Sequence, residues 1–183
     1  MSKVIIFSRQ FPKYHPKAGQ PTYFVEKIWE VIGLPEKEYS FNLPDEYCNF
    51  LRKDSAEIWA KYHTIRAGNR WIVGDKFSPR VWSGKPYKSK NIIFAKDIEI
   101  KKTWKFEIKC ERNSEMRDDY SNFIYIDKKL VMENDYLKLA KNDGLTEKDF
   151  CDWFNIESRG EEFKKPMFFS GQIICWNEKI VYL

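Results

Sequence analysis

The chain has 183 residues, 43% of them hydrophobic and 17% aromatic, with a formal net charge of +5. That length fits one domain, and no apolar stretch approaches the ~18 residues of a membrane span. The opening Met1-Ser2-Lys3-Val4-Ile5-Ile6-Phe7 turns polar too soon for a signal peptide, so a soluble, cytoplasmic protein is expected.

Taken in chain order, Val4 to Phe7 reads as a short apolar strand, and Pro12 to Gly19 as a loop. Thr22 is the expected N-cap of a helix carrying Phe24, Val25, Ile28, Trp29 and Ile32, with Gly33 as its stop. Pro44-Asp45 opens a second helical segment, and Ser55 caps a short third one bearing Ile58 and Trp59. The run Lys61-Tyr62-His63-Thr64-Ile65-Arg66 follows. If its end is a strand, Thr64 and Arg66 share one face and Ile65 takes the other. Lys61, one turn earlier, can swing onto the same polar side.

Strands are then expected at Phe77–Trp82, Ile92–Phe94 and Ile98–Ile108, the last with Ile98, Ile100, Trp104, Phe106 and Ile108 at even spacing. Phe123–Ile126 is another, turned by Asp127-Lys128-Lys129. Asp135 is the expected cap of a helix through Leu137, Leu139 and Ala140 that stops at Asn142-Asp143-Gly144. Thr146 with Asp149 makes a capping box for a helix bearing Phe150, Trp153 and Phe154. Phe168–Trp176 and Ile180–Tyr182 read as a closing hairpin turned at Asn177-Glu178. No internal repeat interrupts the pattern. The class is α+β, with a curved, mostly antiparallel sheet and the option of a small barrel.

Cysteine and histidine exclude more than they suggest. Cys48, Cys110, Cys151 and Cys175 are scattered with no Cys-x-x-Cys pair, and only His15 and His63 are present. A zinc site is therefore disfavoured, and neither metal nor cofactor is expected. Charge is unevenly spread. Residues 52–112 hold 16 Lys and Arg against 7 Asp and Glu, while residues 113–183 hold 10 against 14. The basic middle also carries Trp59, Tyr62, Trp71, Trp82, Tyr87 and Trp104, combining charge for phosphates with rings for bases. A lysine-rich solvated surface is the plainer explanation, but solvated faces seldom need tryptophan. Within this stretch the loop Trp82 to Lys90 alternates rings, glycine and lysines, which makes Trp82, Lys85 and Tyr87 binding candidates; a basic hairpin tip explains it equally well. Arg9, Lys13, His15 and Lys17 form a second basic cluster. A solvated loop explains that cluster more readily, with Arg9 kept as a binding candidate.

Lys61-x-x-Thr64-x-Arg66, then Gly74-Asp75, then Asn142-Asp143-Gly144-Leu145 before Asp149-Phe150 and Trp153-Phe154, resemble an ASCH domain of bacterial or phage type, in the PUA-like superfamily. The resemblance spans most of residues 57–156. It implies a single domain over 1–183, a small PUA-like β-barrel with flanking helices, and a helical elaboration at about 13–56. It also implies a basic cleft that binds RNA or a modified nucleobase or nucleoside, with Arg66 among the binding residues. One branch of the family hydrolyses the amide of N4-acetylcytidine with a lysine, a threonine and a carboxylate. By position these are Lys61, Thr64 and Asp143, with Glu107 as the rival acid. This chain departs from that branch, having Trp59-Ala60 where a glycine precedes the lysine, and aspartate in place of glutamate. Three readings follow: nucleic-acid or nucleoside binding, hydrolysis (amidohydrolase or ribonuclease) through Lys61 and Thr64, and a protein-interaction module using the 13–56 elaboration.

Overall fold

A computed structural model describes residues 3–33, 60–112, 120–156 and 168–182. The helical segments expected after Pro44-Asp45 and after Ser55 lie outside them.

The first sheet is built on β3 (Lys76–Trp82). Strand β1 (Lys3–Ile6) runs parallel along one edge, pairing Lys3 with Phe77 and Ile6 with Arg80. The other edge is shared by β4 (Asn91–Ile93) and β5 (Ile98–Glu99), which pair antiparallel with opposite ends of β3. The second sheet is wholly antiparallel. It contains β2 (His63–Ala67), β6 (Lys102–Arg112), β7 (Tyr120–Ile126), β8 (Lys129–Leu130) and β9 (Phe168–Cys175), in the order β2-β9-β6-β7-β8. Three described helices accompany them: α1 (Phe24–Ile32), α2 (Glu133–Asn142) and α3 (Glu147–Phe154). The expected α+β class with mostly antiparallel strands holds. The expected barrel does not: among the described residues the two sheets remain separate and do not close.

Much of that separation is decided at Ile100. The long strand expected over Ile98–Ile108 breaks there, its first two residues joining β3 and the remainder crossing to the second sheet. Ile100 donates to the Asp75 carbonyl at 2.8 Å and accepts from the Gly74 N–H at 2.9 Å, so a tight turn pins the crossover. Gly74 adopts φ 88°, a conformation that only glycine reaches without strain, and this explains the Gly74-Asp75 pair. Even spacing of apolar residues continues through the break, which hides it from an alternation argument.

The chain end also differs from expectation. Residues 176–182 form no strand, so there is no closing hairpin. Instead β9 is a central strand between β2 and β6, with Ile173, Ile174 and Cys175 wholly buried. A strand covered on both faces carries a continuous apolar run rather than an alternating one.

The helix signals hold with small shifts. Helix α1 starts after Tyr23 rather than directly after Thr22, yet the Thr22 hydroxyl accepts from the Phe24 N–H at 3.4 Å and donates to the Ser8 carbonyl at 2.7 Å. Gly33 closes it in the left-handed region. Phe24, Val25, Ile28 and Trp29 are buried, so this part of the 13–56 stretch is seated in the core. Helix α2 begins before Asp135, which lies in its first turn where a carboxylate suits the dipole. Thr146 caps α3 by accepting from the Asp149 N–H at 3.0 Å; the Asp149 carboxylate turns to Lys17 at 2.8 Å. One hydrophobic cluster joins both sheets and the three helices. No described helix is long and apolar enough to cross a membrane.

Candidate functional site

Three chain segments meet at Lys61. Its backbone N–H donates to the Lys27 carbonyl of α1 at 3.2 Å, and that of Tyr62 to the Asn142 carbonyl at the end of α2 at 2.8 Å. Strand β2 then begins, held in register by β9 with Thr64 opposite Ile174 and Arg66 opposite Gln172. These anchors fix the Lys61 side chain inward, where it is only 1% exposed. Its ammonium lies 4.0 Å from the centre of the Phe24 ring, a cation–π contact. It donates to both the carbonyl and the carboxylate of Asp143, each at 2.6 Å.

Asp143 is placed by the way α2 ends. Its N–H bonds back to the carbonyls of Leu139 and Ala140, and the Leu145 N–H bonds to Ala140 at 3.1 Å. Gly144 at φ 75° completes a Schellman-type stop. A side chain at Gly144 would also lie 3.1 Å from Lys27 Cδ and 3.2 Å from Lys61 Cβ. The Asn142-Asp143-Gly144-Leu145 string is thus the device that delivers a carboxylate to a buried lysine.

Burial governs the electrostatics. It draws the Lys61 pKa down to about 8, with Arg66 assisting and Asp143 opposing. The same burial raises the Asp143 carboxyl, opposed by Lys61, Arg66 and Lys27. Burial and the charge of Lys61 also bring Lys27 down to about 8; its ammonium donates to the Gly144 carbonyl at 2.6 Å. Against this cluster His63 is held neutral, chiefly by burial and then by Lys61, with the Leu139 backbone carbonyl opposing. Its Nδ1 stands 3.6 Å from the Asp143 carboxylate, and neither ring nitrogen reaches a well-formed hydrogen bond. Edge-on packing with Tyr182 at 5.7 Å completes its surroundings.

Lys61, Thr64, Arg66 and Asp143 all line one hollow of about 470 Å³, within the usual size range of small-ligand sites. Trp82 and Tyr87 line it too, their rings 5.4 Å apart, with Tyr87 at the rim 90% exposed. Arg66 donates from Nη2 to the Ile6 carbonyl at 2.9 Å and lies 5.3 Å from the Phe7 ring. Its Nε is buried without a hydrogen-bond partner. The Thr64 hydroxyl makes no hydrogen bond to Lys61 or Asp143, although all three share the hollow.

Three sequence candidates fall elsewhere. Glu107 is on β6, paired with Lys105 at 3.0 Å and Lys109 at 3.8 Å, and does not line the hollow, so Asp143 is the acid present there. Lys85 lies in the loop but outside the lining; its carbonyl accepts from Ser89 Oγ at 2.9 Å and the Lys88 N–H at 3.1 Å. Arg9 also stands outside, bracing the strand end through the Trp82 carbonyl at 3.4 Å. The solvated reading of the second basic cluster fails for His15, which is 2% exposed and stacked on Phe11 at 4.3 Å.

Other residues enter the site beyond the binding and catalytic candidates named from the sequence. Phe24 is both core and site, since helical periodicity cannot show that its ring faces a cation. Trp153 of α3 lines the hollow, backed by Phe24 at 5.6 Å and Phe11 at 5.9 Å. Arg70 and Trp71 also contribute lining. Chemically the hollow offers ammonium and guanidinium donors, a carboxylate acceptor, a hydroxyl that does both, and flat rings at its mouth. No group of three His, Cys, Asp or Glu side chains among the described residues is placed to hold a metal ion.

Comparison with protein-family models, curated proteins and solved structures finds no match to this chain.

Proposed function

We propose that the hollow binds RNA by taking in a nucleobase or modified nucleoside, as the resemblance to an ASCH domain implies. One observation carries this reading: a donor–acceptor set of Lys61, Thr64 and Asp143 shares a hollow with the paired rings of Trp82 and Tyr87. Base edges present adjacent donors and acceptors, and base faces stack on rings at about 1–3 kcal/mol each. Arg66 and Arg70 supply charge for the phosphate backbone. The test is a titration of the protein's tryptophan fluorescence with nucleosides and with single-stranded RNA over a series of salt concentrations. Binding of RNA that weakens as salt rises supports the reading. No binding at low salt, or an affinity indifferent to salt, rejects it.

A second reading, hydrolysis, draws support from the Lys61 pKa of about 8. At pH 7 about a tenth of such a lysine is free amine, enough to serve as a base. That amine would take the Thr64 proton as the hydroxyl oxygen bonds to the amide carbon. The nitrogen would leave with the proton, and water would then cleave the resulting ester. The Asp143 carboxylate favours the ammonium, and Thr64 has no hydrogen bond to Lys61, so substrate must tighten this geometry. Incubation with N4-acetylcytidine and with RNA, yielding neither deacetylation nor cleavage, removes this reading.

A further inference from the structure

The lining of the first hollow continues beyond Arg66. A second hollow of about 570 Å³ shares Ile65, Arg66, Trp153 and Phe154 with the first and adds Tyr14 and Phe169. We propose that the two form one track for single-stranded RNA at least two nucleotides long. One base occupies the first hollow, its neighbour lies against Tyr14 and Phe169, and the linking phosphate rests on Arg66. The inference rests on the nucleobase-binding reading and names its ligand as an oligonucleotide in preference to a free nucleoside.

Arg66 carries the argument. It is the one cation among the four residues that border both hollows, so it is the group there that can meet a linking phosphate. Its Nη2 is engaged by the Ile6 carbonyl, while Nε is buried with no partner. A buried N–H left unpaired is costly, and a guanidinium is well suited to a phosphate oxygen. Asp143 is tied to Lys61 at 2.6 Å and does not take up that donor. The second hollow has the apolar, ring-lined character of a stacking site. Tyr14 is 67% exposed, yet its hydroxyl is fixed to the Trp153 carbonyl at 3.0 Å, which holds an open aromatic face in place. Phe169 lines the same hollow, supported by Phe154 at 5.7 Å and Phe106 at 5.9 Å. Each hollow falls within the roughly 300–1,000 Å³ typical of small-ligand sites, a scale suited to one nucleotide apiece.

The experiment compares the four nucleosides with the four homodinucleoside monophosphates by tryptophan fluorescence, using the full chain and two variants. Tyr14→Ala removes the second platform, and Ala67→Glu places an acid in the second hollow at an exposed position. Circular dichroism melts confirm that both variants fold. At least one dinucleoside monophosphate should bind tenfold or more tightly than its nucleoside. Both variants should abolish that advantage while leaving nucleoside affinity unchanged. Equal affinity for the two ligand types, or variants that weaken both alike, overturns the track and leaves the nucleobase reading standing. Failure of every ligand to bind overturns both.

Discussion

Lys61 and Asp143 lie 82 positions apart in the chain, yet the lysine ammonium binds both the carbonyl and the carboxylate of the aspartate at 2.6 Å. Both side chains are almost wholly removed from water, at 1% and 7% exposure. Charges in such a place are stable only because each satisfies the other, and the consequences are measurable.

Replacing one partner strands the other. Asp143→Ala leaves a buried ammonium with only the Phe24 ring and one carbonyl site near it, and should cost about 3–5 kcal/mol of stability. The double variant Lys61→Met/Asp143→Ala should be less damaging than the sum of Lys61→Met and Asp143→Ala, because no unpaired charge remains. Urea unfolding of the three variants checks this. Strict additivity would mean the pair is not coupled.

Alkaline pH offers a second handle. Lys61 and Lys27 both titrate near 8 in the folded chain against an ordinary lysine value of 10.5. Between those values the unfolded chain holds protons that the folded chain has lost. Stability therefore rises with pH, by up to about 1.4 kcal/mol per pH unit for each lysine. Below pH 8 both states are protonated and the slope fades. Cys175, raised by burial from 9 to about 11, acts with opposite sign above pH 9. Stability measured from pH 8 to 9 should climb, and Lys27→Met should remove about half the slope. A flat profile in that window would contradict the burial of these amines.

Gly171 tests how β2 is held. It pairs with Ala67 across the sheet, and a side chain there would collide with the Arg66 carbonyl. Gly171→Ala should destabilise by about 1–3 kcal/mol, and it should loosen the edge that presents Thr64 and Arg66. Hydrogen exchange of the β2 amides should accelerate more than that of β7. Uniform exchange across the sheet would argue against local strain.

Two carboxylates were rivals, and their substitutions should separate cleanly. Asp143→Asn should weaken ligand binding about tenfold or more, by the loss of a charged acceptor from the hollow. Glu107→Gln, outside the hollow and paired with Lys105 and Lys109, should leave affinity unchanged. Fluorescence titration of both variants with the best-binding nucleoside reads this directly, and equal effects would return Glu107 to the site.

Much that is local was legible in the residues themselves. Period-two alternation marks Thr64 and Arg66 on β2, Thr146 announces α3, and Asn142-Asp143-Gly144 announces the end of α2, because caps and strand faces depend on near neighbours. Proximity between distant segments was not legible from those patterns. The break at Ile100 preserves even spacing, so only the Gly74-Asp75 turn reveals that the chain has changed sheets. Nothing in periodicity distinguishes Asp143 from Glu107 as the acid, or tells that Phe24 and Trp153 face the hollow instead of only the core. Those outcomes come from packing two sheets and three helices around shared apolar surface, a balance of many long-range contacts that no single stretch of residues encodes.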